Sequence, residues 1–293
     1  MTTVGRTIVA TGLSSGLGLE SLKQLLQQSQ PFRVILGARN TQSTSAAIDA
    51  LDFNRSASAV TVLPLELSDL NTVKTFSNKV LEILGQDKID FLYMNAGLAK
   101  DATLPAPNGS KWCEALVVNH TSQHYLVHLL REKLIFSKSR LVFVSSGAIR
   151  SVADPSVLEK DLATPSNTQP FTIYSESKFI HFLGAQWWRR ELANQCRVVA
   201  VSPGLIPGTG LGRHSKEQLP ANHPDAKSIP EGAASLNAAL FRDDFPKDPE
   251  QIFLTSWGEW WDKDIYTKAL DEKLQDKWCW SKEEIEKQEN VTV

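Results

Sequence analysis

The stretch Thr7-Ile8-Val9-Ala10-Thr11-Gly12-Leu13-Ser14-Ser15-Gly16-Leu17-Gly18 decides how the rest of the chain is read. Its apolar start is short and unbroken, as in a strand buried on both faces. The following Leu19-Glu20-Ser21-Leu22-Lys23-Gln24-Leu25-Leu26 spaces its leucines along one face of a helix. Gly12, Gly16 and Gly18 make the connection a tight turn in which backbone can approach a phosphate closely. The helix start adds unpaired amides and the positive end of a macrodipole, and Ser14 and Ser15 add hydroxyl donors to a cradle that includes Leu17. A glycine-rich turn alone also occurs without a ligand. The strand before it and the helix after it are the context in which a dinucleotide binds, although the spacing is Gly-xxx-Gly-x-Gly, not Gly-x-Gly-xx-Gly.

The next apolar run, Arg33 to Ala38, ends at Arg39. The tip of a second strand in such an arrangement faces the adenosine ribose. An acidic residue there suits a free 2′-hydroxyl, and a guanidinium suits a 2′-phosphate by bidentate pairing. Because Arg39 stands at the tip, the expected cofactor is NADP(H).

Tyr174-Ser175-Glu176-Ser177-Lys178 is the second informative stretch, since residues four apart share one helix face. A cation about 5 Å from a phenol, at an effective dielectric of about 20, favours the phenolate by ~3 kcal/mol, or roughly two pK units. That would tune an acid for work near neutral pH. Such a pair alone also arises by chance on helix surfaces.

Strand-like runs recur near residues 7–10, 34–38, 60–65, 89–94, 141–144, 197–201 and 252–255. Helix-like segments lie between them, among them 70–84, 111–134, 174–194 and 231–241. This alternation predicts an α/β fold, a doubly wound parallel sheet of about seven strands with helices on both faces, whose ligands bind at the carboxyl edge. With 293 residues, 42% hydrophobic content and no linker or repeat, a single domain over 1–293 is expected. Within it, a substrate lid is expected around 205–230 and a C-terminal extension around 256–293. A formal charge of −2 offers no field for nucleic acid or acidic membranes. The amino terminus runs straight into the first strand and no apolar stretch reaches the ~20 residues of a membrane span, so a cytoplasmic location is expected. Cys113, Cys196 and Cys279 are three widely separated cysteines that read as reduced thiols, Cys279 being a candidate for reactivity in an exposed tail. His120 and His124 lie one turn apart without a third ligand nearby in sequence, so no metal is expected.

Six short motifs in order make the chain resemble the short-chain dehydrogenase/reductase family over roughly its first 210 residues. They are Thr11-Gly12-xxx-Gly16-x-Gly18, Asn95-Ala96-Gly97, Asn119, Ser145-Ser146, Tyr174-xxx-Lys178 and Pro203-Gly204, each after the expected element. The resemblance implies a Rossmann fold and assigns roles. Tyr174 is the general acid/base, Lys178 lowers its pKa and binds the nicotinamide ribose, Ser146 positions the substrate oxygen, and Asn119 holds a relay water. It also places Asn95, Ala96 and Gly97 along the cofactor, Glu66 and Leu67 at the adenine, and Pro203, Gly204, Leu205, Ile206 and Thr209 beside the carboxamide. Glu66 departs from the family's usual Asp, and Met94 stands where a second Asn is common. Ser146 and Tyr174 are 28 positions apart, which implies an insertion over 147–171 and is similar to the spacing of retinol-dehydrogenase-like and protochlorophyllide-reductase-like members.

The implied activity is NADP(H)-dependent hydride exchange with a carbonyl or alcohol of a moderately large, partly apolar small molecule, with a place in secondary metabolism expected. A C=C reductase on the same scaffold and a non-catalytic NADP-binding sensor are the alternatives. Five of the eight tryptophans fall at or after Trp257, where they either pack on the core, line a substrate pocket or mediate a subunit contact. Trp187 and Trp188 lie in a helix that often pairs between subunits of related enzymes, which makes a homo-oligomer a candidate assembly. The terminal Ser281 to Glu289 reads as a capped, solvated helix. Arg39→Asp is expected to shift kcat/KM from NADPH toward NADH, and an equal loss with both would make Arg39 structural.

Overall fold

A computed structural model describes residues 5–211 and 226–292. One seven-stranded sheet forms its centre: β1 (Arg6–Thr11), β2 (Phe32–Ala38), β3 (Ala59–Pro64), β4 (Phe91–Met94), β5 (Arg140–Val144), β6 (Arg197–Val201) and β7 (Phe253–Leu254). Their order is β3-β2-β1-β4-β5-β6-β7, and every pairing is parallel. Crossover helices are therefore required, and the winding reverses between β1 and β4.

Alternation along the strands divides the interior into two cores. Ile8, Ala10, Val34, Leu36, Tyr93, Val142 and Val199 point to the side covered by α1 (Gly16–Leu26) and α8 (Ile229–Phe241), with α2 (Thr41–Asp49) at its margin. Val9, Ile35, Leu92, Met94, Leu141, Phe143 and Val198 point to the other side. There they meet α3 (Leu70–Leu84), α5 (Ser122–Ser137) and α7 (Pro170–Glu191). The strand readings thus hold, and the doubly wound sheet is as expected.

Two helix starts differ. The segment expected to be helical from 111 begins only with the short α4 (Glu114–Leu116), because Trp112 and Cys113 are taken up in bridges to Ala163 and Pro105. A π-helical turn, Val117–Thr121, then leads into α5. The second long helix starts at Pro170, ahead of Tyr174, since proline at the first turn forfeits no intrahelical bond. The insertion between Ser146 and α7 folds as 3-10 turns at Gly147–Ser151 and Pro155–Val157 and as α6 (Leu158–Leu162). Of the expected lid, residues 212–225 lie outside the described residues. No helix of the described residues is long and apolar enough to cross a membrane.

The tail is more deeply engaged than its polarity suggests. After a 3-10 segment at Lys263–Leu270, α9 (Glu272–Trp278) packs on α7 and α10 (Lys282–Gln288) on α5. A Ser281–Glu284 capping box starts α10, as read from sequence. The helix is not merely solvated, however: Ile285 is fully buried, Tyr125 Oη donates to Glu286 at 2.7 Å, and Glu289 accepts from Asn108 and Ser110. Trp278 is buried beside Trp112, and Trp280 stacks on Trp112 at 5.7 Å. Trp188 lies fully buried in the same core. The packing role expected for the tail tryptophans is realised at Trp278 and Trp280. Ile285→Ala is expected to cost about 2–5 kcal/mol through the cavity it leaves, read as a lower urea midpoint with an unchanged m-value.

Candidate active site

The glycine turn is built by close backbone approach at the carboxyl edge, where β1 and β4 adjoin. Gly12 has φ +73°, and a Cβ there would fall 2.5 Å from the backbone of Ala96. A Cβ on Gly18 would fall 2.0 Å from Gly12 O and 2.7 Å from Asn95 Nδ2. Asn95 Nδ2 donates to Gly12 O at 2.6 Å, tying the segment after β4 to the turn after β1. Thr11 Oγ1 donates to Gln123 and accepts from Ala96 N, which completes the tie. Gly16, by contrast, has φ +53° with nothing within 4 Å of its Cβ position. Ser15 is the N-cap of α1 but makes no side-chain cap bond, and the first turn holds no acid. An open glycine beside uncapped helix amides suits a phosphate.

Asn119, Lys178 and Gly97 form the next layer. The Lys178 Nζ lies 3.2 Å from the Cβ position of Gly97, and Asn119 Oδ1 lies 3.7 Å from it, so a Cβ at Gly97 would crowd the amine and touch Asn119. Asn119, buried in the π-helical turn, accepts from Leu98 N at 2.7 Å. Its Nδ2 donates to Leu98 O and to Ser177 Oγ, and Ser177 Oγ donates to Tyr174 O at 2.8 Å. Lys178 Nζ donates to Val144 O at 2.8 Å. Ser146 follows the end of β5; its Oγ accepts from Ala148 N at 3.2 Å, and its side chain is near enough to the Tyr174 phenol to favour the ionised form. The structure therefore brings together Ser146, Tyr174, Lys178 and Asn119 at the end of the sheet that holds the glycine turn.

The remaining candidates are placed around this layer. Arg39 sits exposed just past β2, with no ion pair among the described residues. Glu66 accepts from Ser68 N at 3.0 Å and Leu67 is buried in the core. Pro203, Gly204, Leu205 and Ile206 follow β6, with Gly204 at φ +91°. Thr209 Oγ1 reaches back to Ile206 O. Gly232 of α8 admits both Ile206 and Leu17, whose Cδ1 atoms lie 2.6 and 3.0 Å from its Cβ position, so the two ends of the crevice meet there. Sequence reasoning missed three supports: Ser177, Gln123 and Ser202, whose Oγ accepts from Gly147 N. Each is an ordinary polar residue whose role arises only from the fold.

The short chain dehydrogenase family model matches residues 6–154. A short-chain dehydrogenase/reductase of Pestalotiopsis microspora is 56% identical over 287 residues, covering 97% of this chain and 99% of its own. This chain is a member of the short-chain dehydrogenase/reductase family. Among solved structures, the NADPH-bound carbonyl reductase from chicken fatty liver superposes with TM-score 0.67 at 20% identity, covering 88% of this chain and 94% of that one. A Burkholderia cenocepacia short chain dehydrogenase in complex with NADP gives TM-score 0.60 at 19% identity, covering 94% and 99%. The fold of this short-chain dehydrogenase/reductase binds a nicotinamide cofactor, and the open turn at Gly16, the uncapped start of α1 and the unpaired Arg39 fit one.

The electrostatics of this family member correct one expectation. Burial pushes the Tyr174 phenol up and the Ser146 side chain pulls it down, with a net rise in place of the expected lowering. Burial also lowers the Lys178 ammonium to about 7 while the amine is held at Val144 O. The expected tuning of tyrosine by lysine is not expressed in this arrangement.

Two further corrections concern the cysteines and histidines. Cys279 is buried, and burial pushes its thiol well above the usual range, so it is not the reactive tail thiol expected. It also supplies the third potential ligand missing from the sequence reading: one donor atom each of His120, His124 and Cys279 lie within 4.8 Å of one another. Both ring nitrogens of His124 are already engaged, Nδ1 accepting from Trp188 at 2.8 Å and Nε2 facing Trp280 O at 3.0 Å. His120 Nε2 likewise faces Trp278 O. The histidines thus anchor the tail. A cavity of about 490 Å³ lies along the same seam, lined by Trp112, Trp278 and Trp280 and not by Ser146 or Tyr174.

Glu176, between Tyr174 and Lys178, is buried near Asp161 of α6, and burial first, then that neighbour, raises its carboxyl to about 8. A raised folded pKa means that the stabilisation is complete below the unfolded value of about 4.5 and is lost as pH rises toward about 8. Glu176→Gln removes the proton loss, so its stability relative to the parent is expected to rise between pH 5 and pH 8. Parallel urea midpoints across that range would assign the dependence elsewhere.

Proposed function

We propose that this enzyme is an NADP(H)-dependent carbonyl reductase, able to run in reverse as an alcohol dehydrogenase, acting on a moderately large, partly apolar small molecule. The observation that carries this reading is that Ser146, Tyr174, Lys178 and Asn119 come together beside Gly97, one layer from the open glycine turn. Bound reduced nicotinamide supplies a hydride to the carbonyl carbon. Tyr174 then delivers its proton to the carbonyl oxygen, giving the alcohol. Because burial keeps that phenol protonated, it is held as an acid until negative charge develops on the substrate oxygen. Ser146 orients that oxygen and shares the charge as it grows.

Lys178 serves at the ribose hydroxyls and, once drawn toward them, places its charge near Tyr174. Asn119 and Ser177 hold the helical motif in register so that the acid stays aimed. Arg39 supports NADP(H) over NAD(H), in line with the NADPH-bound carbonyl reductase and the NADP complex among the structural neighbours. Glu66 and Leu67 border the adenine, and the segment Pro203–Thr209 begins the wall over the carboxamide and the lid. Tyr174→Phe is expected to lower kcat for ketone reduction by at least about 10²-fold while the NADPH Kd stays within about twofold, since it removes a proton and almost no surface. Unaltered turnover on a ketone panel in the dark would remove Tyr174 from the role of acid.

A further inference from the structure

The rim beside Ser146 carries groups that proton transfer does not use. Ser146 opens the 3-10 turn Gly147–Ser151, so Arg150 lies about one turn on. Its Nε donates to Gly147 O at 3.0 Å, and its guanidinium carbon stands 5.2 Å from the centre of the Trp261 ring. The same indole descends on Gly147: a Cβ there would be 3.4 Å from Trp261 Cη2 and 3.6 Å from Arg150 Nη2. Ring and guanidinium therefore adjoin the residue that follows Ser146. Trp257 meets Trp261 edge-on at 6.1 Å and is 58% exposed. Phe171, one turn before Tyr174 on α7, is 61% exposed.

Arg150 is exposed, and among the described residues no carboxylate pairs with it. With Nε committed to the backbone and its plane held by an indole, the fork is preorganised and its Nη edge remains for an anion. The open surface of Trp257, joined to it through Trp261, suits a flat apolar body. We propose that Arg150 and Trp261 form a specificity site for aromatic carbonyl compounds that bear a carboxylate, the aryl body lying on Trp261 and the carboxylate on Arg150 while the carbonyl oxygen meets Ser146 and Tyr174. This inference rests on the carbonyl-reductase reading and names its substrate class.

The test uses para-benzoylbenzoate and its methyl ester, a pair that differs in one charge. Binding is followed by quenching of tryptophan fluorescence in the presence of NADP+, and turnover separately by NADPH oxidation. The parent protein is expected to favour the acid over the ester by at least tenfold in both Kd and kcat/KM, and Arg150→Gln is expected to abolish the preference, with Arg150→Lys restoring part of it. Equal binding of acid and ester by the parent, or a preference that survives in Arg150→Gln, overturns the inference, and efficient reduction of both compounds would then leave the reductase reading intact. An Arg150-dependent preference in binding without any hydride transfer supports the site and instead counts against the reductase reading.

Discussion

Close backbone contact at the sheet's carboxyl edge is the constraint on which the site depends. Gly12 against Ala96, Gly18 against Gly12 O, and the Asn95 bond to Gly12 O draw the turn after β1 and the segment after β4 into one layer. Only the point where the winding reverses lets two such turns stand side by side without a helix between them. From that layer the chain continues to Gly97, where the missing side chain gives Lys178 and Asn119 a common floor. The glycine turn and the layer of Lys178 and Asn119 are therefore parts of one backbone arrangement.

The second governing feature is the burial of ionisable groups around α7. An ammonium removed from water gains little from one backbone carbonyl, so Lys178 sits at a solvation deficit that a polyhydroxylated ligand can relieve. The Tyr174 phenol is held neutral by the same dryness. His181, one further turn along, is buried with neither ring nitrogen bonded among the described residues, and Glu176 keeps its proton against Asp161. A helix so lined is costly to solvate incorrectly. Its bonds through Ser177 and Asn119 hold it in one position.

What was legible in the sequence follows from range. Each strand announced itself as a short apolar run because the sheet is covered on both faces, and the glycine, asparagine, serine and tyrosine motifs lie at strand ends or on one helical turn. Features that need distant partners were not legible. Trp112 and Cys113 carry a helical pattern, but bridges to Ala163 and Pro105 claim them. Nothing local marks the π-helical turn that presents Asn119. Polar residues dominate α10, yet its one isoleucine is enough to seat it on α5. Cys279 meets His120 and His124 across more than 150 positions, beyond any spacing rule. The lysine–tyrosine pair was recognisable by its interval, but the direction of the amine was set by Val144 O, which the interval cannot reveal.

The histidine anchors also couple distant parts of the chain. His120, His124 and His128 of one helix grip the carbonyls of Trp278 and Trp280, while Trp188 reaches His124 from the helix that carries Tyr174 and Lys178. The segment that carries Trp278 and Trp280 thus lies behind the helix that carries Tyr174 and Lys178. A change confined to this seam, about a hundred positions further along the chain than Tyr174 and Lys178, would reach them through one indole–imidazole bond without altering any residue near them.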